Sequence, residues 1–220
     1  MDHALTPSAN HLLKHLRARF PGREAMVLGA PDGPIHRRVP GFHVIRLGPA
    51  PGEYGWIHVT AGLWEATQHH GHALEFVLHA PEASDRHVQT LAMLSYYHAS
   101  GGSFALDHGH TVPIGRPWVS GSACDHILVS LPYPWGPSLE DCQLPDGGHI
   151  RVLWLLPITK AERQFKRANG LEALESRLEQ AGIVPTDPHR ASVVDSPGLL
   201  RRVTSRLRRG PASDPHPWRS

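Results

Sequence analysis

The arrangement in this chain that comes nearest to a metal site is His108 and His110, two residues apart and beside Asp107. On a strand both rings would project from one face, and Asp107 or the cluster His69-His70-Gly71-His72 could complete a coordination sphere. The tight templates are missing, however: there is no HExxH, no cysteine pair at CxxC spacing and no EF-hand loop. Histidine serves as readily as a hydrogen-bonding residue, so the expectation is no metal and no cofactor, with 69–72 a solvated loop. A nucleophile would have to be Ser122 or Cys124 in Gly121-Ser122-Ala123-Cys124-Asp125. The nucleophile elbow needs Gly-x-Ser-x-Gly between a strand and a helix, whereas here a Pro- and Gly-rich loop precedes and Ile127-Leu128-Val129 follows. A lone cysteine is inert packing unless an electropositive site lowers its pKa. No GxGxxG and no P-loop occurs. These observations predict a protein that is not an enzyme, with a metal-dependent enzyme built on Asp107, His108 and His110 as an alternative.

Binding is the better use of the side chains present. Tyr96, Tyr97, Trp118, Tyr133 and Trp135 offer the large, rigid contact areas that concentrate at interface centres, with core packing as the competing use of each. Tyr97 lies off the stripe Val88, Leu91, Ala92 and Ser95, whereas Trp154 sits inside a continuous apolar run and is expected in the core. Asp187 and Arg190, three apart after Pro185, are expected to be structural, pairing with each other or locking the end of the domain.

These residues need a scaffold, and the apolar spacing supplies one. Leu5, Ala9, Leu12, Leu13, Leu16 and Phe20 recur at helical intervals, with Ser8 as the expected cap and Pro21-Gly22 as the stop. Short apolar runs over 25–28, 42–47, 56–60 and 74–79 read as strands punctuated by Pro-Asp-Gly and Pro-Ala-Pro-Gly. Ser84 caps a second helix that exits at Gly101-Gly102. Runs over 127–131 and 150–156 read as further strands, the second apolar enough for the sheet centre. Thr159 and Glu162 have capping-box spacing for a third helix, Asn169-Gly170 interrupts it, and Leu171, Leu174, Leu178 and Ala181 mark a fourth. The order predicts an α+β fold, a mixed sheet flanked by helices, rather than βαβ alternation.

Residues 1–198 are read as one domain. They hold 16 Lys and Arg against 19 Asp and Glu, while 199–220 hold six Arg against Asp214 alone and are expected to be a disordered basic tail. A mildly acidic body argues against nucleic acid as partner. The two cysteines make neither a disulfide framework nor a zinc set, and no signal peptide or long apolar run is present. A cytoplasmic protein without membrane attachment is expected.

The ordered series as a whole resembles the suppressor-of-fused (SUFU) domain family, in its bacterial single-domain form. The carrying residues are Trp56 to Leu63, Leu74 to Leu78, the helix with Leu91, Leu94 and Tyr97 leading to Ser103-Phe104, and Gly109-His110-Thr111. After them come Asp125 to Val129, the Leu153-to-Glu162 strand and capped helix, Asn169 to Leu174, and Thr186-Asp187 to Arg190-Ala191-Ser192, so that the match spans 54–195. The resemblance implies a fold like the N-terminal domain of the animal members, which with a further domain clamps a peptide of Gli-type transcription factors as an added strand. It implies a protein partner, and for single-domain bacterial relatives an immunity protein that neutralises a toxin of a polymorphic or contact-dependent system. A regulator that sequesters a transcription factor is the alternative. The matching positions place partner contact at Tyr97 and at Asp107, His108 and His110 in the segment 107–112.

Overall fold

The computed structural model describes residues 4–194; the basic stretch 199–220 lies outside them. Thr6, not Ser8, starts the first helix, α1 (Pro7–Arg19). Its Oγ1 accepts the Ala9 N–H at 3.2 Å, and Pro7 brings the fixed φ that suits a first turn. Ser8 lies inside the helix and its hydroxyl donates to Glu65 instead. Leu12, Leu13 and Leu16 give α1 its buried face.

Four antiparallel neighbours follow: β1 (Ala25–Gly29), β2 (His43–Leu47), β3 (Trp56–Ala61) and β4 (Glu75–Ala80). The short helices α2 (Ile35–Arg38) and α3 (Leu63–Thr67) sit in the connections. Helix α4 (Asp85–His98) begins as expected at Ser84, whose hydroxyl accepts the Arg86 N–H. Then come β5 (Thr111–Pro113), β6 (Cys124–Ser130), α5 (Pro137–Glu140), β7 (Asp141–Gln143) and β8 (His149–Thr159). Two helices follow β8, α6 (Lys160–Asn169) and α7 (Leu171–Gln180), separated at Gly170. The expected capping box is formed: Thr159 Oγ1 accepts the Glu162 N–H while Glu162 accepts the Thr159 N–H.

Spatial order in the sheet is β1-β2-β3-β4-β8-β6-β5, with β7 paired to β8 beside that path. Among the described residues the single parallel pairing is β4 with β8, so the sheet is mixed and the fold α+β, with β8 between β4 and β6 at its centre. The two-residue period of β8 explains why it is apolar throughout: Leu153 and Leu155 face the core under α4, while Val152, Trp154, Leu156 and Ile158 face the core under α1, α6 and α7. Trp154 is 4% exposed.

Gly62, which leads into α3, has φ +97, and a Cβ there would stand 2.4 Å from the Gly41 carbonyl oxygen. Both the left-handed backbone and the close approach exclude a side chain. Gly62→Ala is expected to lower stability by on the order of 2 kcal/mol, read from the midpoint of urea denaturation at unchanged slope.

Candidate functional site

Helix α4 and the chain that leaves it build one edge of the molecule. Tyr97, in the last turn, is 37% exposed and meets Phe104, 47% exposed, edge to face at 5.1 Å between ring centroids. Two half-open aromatic rings locked against each other present a rigid apolar surface to solvent. One residue further along α4, the ring of His98 fixes the next segment: its Nδ1 accepts the Leu106 N–H at 2.9 Å. The helix end therefore sets the position of the turn that follows.

That turn is 107–110. Asp107 Oδ1 accepts the His108 N–H at 2.7 Å and a charged bond from Arg151 Nη1 at 2.8 Å. Burial alone would push the Asp107 carboxyl up, but the His108 N–H and the Arg151 guanidinium outweigh it and hold the acid below its usual range. Arg151 comes from β8 and also bonds Glu140, which ties the turn to the sheet centre. His110 accepts the Asp107 N–H through Nδ1 at 3.1 Å. His108 turns the other way, its Nε2 3.4 Å from Glu175 of α7.

Strand β5 follows directly and is the last in the sheet. Val129 N–H donates to the His110 carbonyl and Ile114 N–H to that of Asp125, so the alternation of an antiparallel ladder turns the N–H and C=O of Thr111 away from β6. The strand is short and carries Pro113, which edge positions accept. Asp107, His108 and His110 thus lie in the turn that leads into this outer strand, which has no further neighbour among the described residues, and Tyr97 lies at the end of the helix that precedes the turn.

The chemistry considered for other residues is not assembled. His108 and His110 are in a turn, not on a strand, and their ring nitrogens engage different groups. Among the described residues no three His, Cys, Asp or Glu side chains are grouped to hold a metal. Cys124 is buried at the start of β6 and its thiol is pushed up by burial, while the Ser122 hydroxyl accepts the Cys124 N–H. Trp118 is 1% exposed and belongs to the core.

Arg190 takes Glu162, not Asp187, as its carboxylate, with Nη1 to Oε1 at 2.7 Å and Nη2 to Oε2 at 2.8 Å. It also donates to the Pro157 carbonyl of β8. Asp187 accepts the His189 N–H. The end of the described chain is therefore locked on the capping box of α6. Neither Arg151, Glu175 nor Glu162 was expected in these roles; Arg151 carried a signal as the one charge in the apolar run of β8.

The model of the suppressor of fused protein family (SUFU) matches residues 39–191. The chain belongs to the SUFU family. A SUFU homolog from Neisseria gonorrhoeae FA 1090, known as a crystal structure, is 34% identical, with a TM-score of 0.74 over 86% of this chain and 97% of that one. A chain of the Sufu-Fu complex crystal structure shares the fold at 13% identity, with a TM-score of 0.67 over 95% of this chain and 100% of that one. Drosophila Suppressor of Fused does so at 15% identity and a TM-score of 0.61, over 93% of this chain and 57% of that one. No curated protein sequence matches. No helix among the described residues of this SUFU chain is long and apolar enough to cross a membrane.

Proposed function

We propose that this SUFU chain is a non-catalytic protein-binding domain that holds its partner at the β5 edge and the Tyr97–Phe104 surface, acting in the cytoplasm as a bacterial immunity protein that occludes a toxin. The observation that carries the reading is the edge itself: the N–H and C=O groups of Thr111 turn outward on a strand with no neighbour beyond it among the described residues, in the segment that follows the exposed Tyr97 and Phe104 rings. Main-chain bonds give such an edge affinity, and the neighbouring rings and charges give it selectivity. The immunity role draws on the resemblance to bacterial members of the family, supported by the likeness to the Neisseria gonorrhoeae homolog over 97% of that chain. Occlusion asks for roughly 1,200–2,000 Å² of contact around a few anchors.

The second reading is a regulator that sequesters a transcription factor by taking up one of its segments as an added strand. A short open edge favours it, and a structural relative was crystallised as a Sufu-Fu complex. The partner captured on the full chain distinguishes the two: a toxin encoded beside it supports immunity, and a DNA-binding protein supports sequestration.

Tyr97→Ala tests the placement common to both. Its thermal midpoint is expected within a few degrees of the parent, since the side chain packs mainly on Phe104, while affinity for the captured partner falls by about thirtyfold, the loss typical of an aromatic anchor. Equal affinity by calorimetry would put the contact elsewhere.

A further inference from the structure

A groove of about 240 Å³ lies between α4 and the turn that leads into α2. Its lining is mostly apolar: Pro31, Pro34 and Ile35 on one side, and Ala92, Met93 and Tyr96 of α4 on the other. Ile35 and Ala92 are buried, whereas Met93 is 41% exposed. Gln89, which also lines the groove, shares a face of α4 with Ala92, Met93 and Tyr96 through three- and four-residue spacing. The volume is below the roughly 300–1,000 Å³ of pockets that enclose a small molecule, and suits a single side chain.

A guanidinium group is tethered at each end of this face. Arg38 lies over the Tyr96 ring, 4.8 Å from its centroid, and Arg116 Nη2 donates to Gln89 Oε1 at 3.4 Å. Their tethers are seven residues apart on α4, about 10 Å along the helix axis. Both arginines are exposed, and neither has a carboxylate partner among the described residues. Asp32, exposed in the turn before α2, is the one carboxylate among the lining residues.

Residues 1–198 are net acidic, with 16 Lys and Arg against 19 Asp and Glu, so two uncompensated cations at one apolar groove stand against the charge of the body. Exposed guanidiniums bond carboxylates through a rigid fork, and the groove between them accepts an apolar side chain against adaptable Met93. Met93 also lies one turn before Tyr97, so the groove continues the Tyr97–Phe104 surface along α4.

We propose that the groove receives an apolar side chain of about leucine size from a protein segment that carries carboxylates on both sides of it, paired with Arg38 and Arg116. This deepens the protein-binding reading above and rests on it for the source of the segment. The test uses the full chain with carbon-13 in its methionine methyl groups and the peptide acetyl-Glu-Glu-Leu-Glu-Glu-amide. The chain has three methionines, and Met93→Leu identifies the Met93 resonance.

Titration is expected to move that resonance saturably. The peptides with glutamine in place of glutamate, or alanine in place of leucine, should bind about tenfold more weakly, and so should the original peptide on an Arg38→Gln/Arg116→Gln chain. The double variant should keep the parent's thermal midpoint, because both side chains are exposed. No movement, or equal affinity for the glutamine, alanine or lysine-flanked peptide, or equal affinity on the double variant, overturns the proposal. A failed titration leaves the β5 edge standing, and failure of Tyr97→Ala to weaken partner binding leaves the titration standing.

Discussion

Arg190→Ala is expected to lower stability by about 3–5 kcal/mol in urea denaturation, because it strips a buried carboxylate of its cation. Glu162 is fully buried and Arg190 is 9% exposed. The carboxylate sits at the junction of β8 and α6, where it also accepts the Thr159 and Val193 N–H groups. Burial alone would raise the Glu162 acid, yet the Arg190 bonds and charge, with those two N–H groups, hold it below the usual range. A depressed acid contributes stability that is present above its unfolded value of 4.5 and is lost as pH falls through the folded value. In the alanine variant burial wins, the sign reverses, and acid makes the variant relatively less unstable. Arg190→Met with Glu162→Gln should recover most of the loss, since replacing both partners leaves no buried charge.

The second large effect is a pH dependence set by three buried groups, His58 of β3, His87 of α4 and Glu75 of β4. His58 and His87 are buried, with ring centroids 5.4 Å apart. Burial first, then the neighbouring His87, Arg46 and His79, pushes His58 down to about 3, and burial with Arg86 pushes His87 down to about 4. A histidine kept neutral in the fold takes up its proton on unfolding below 6.5, so each costs stability as pH falls from 6.5 toward those values. Between pH 7 and pH 5 the pair is worth about 4 kcal/mol.

Glu75 of β4 acts in the opposite direction. Burial raises its acid to about 7 despite bonds from Thr60 and the Trp64 N–H. It keeps its proton in the fold and releases it on unfolding above 4.5, so it costs about 2 kcal/mol as pH rises from 5 to 7. The parent is therefore expected to lose about 2 kcal/mol on going from pH 7 to pH 5, and Glu75→Gln about 4, by urea denaturation at each pH. Identical slopes for the two proteins would contradict the assignment of Glu75 as a protonated core acid. His15 and His79, also lowered chiefly by burial, steepen the acid loss in both.

Local signals in the sequence were legible and distant pairings were not. The capping box at Thr159, the Ser84 cap and the apolar run of β8 each rest on residues within a few positions of one another, and the fold keeps them. The cap of α1 moved from Ser8 to Thr6 because two hydroxyls two residues apart give the same signal and Pro7 decides between them. Strand β5 has three residues and a proline, too little for periodicity, yet it forms the edge on which the candidate site depends. Arg190 invited pairing with Asp187 three residues before it, while its partner Glu162 lies 28 residues away. Tyr97 could be read as exposed from its place off the apolar stripe. Arg151 and Glu175 reach Asp107 and His108 only because β8 and α7 pack beside the 107–110 turn. The family resemblance covered 54–195, close to the 39–191 matched by the family model.

The central claim is that a protein partner is held on the β5 edge. Amide hydrogen exchange of the full chain, alone and saturated with the partner captured from its native cell, tests it at the Thr111 N–H, which points away from β6. The account predicts that exchange at Thr111 slows by at least about tenfold when the partner is bound, as a new main-chain bond requires, with protection spreading over 107–113. Unchanged exchange across 107–113 at saturation would contradict it.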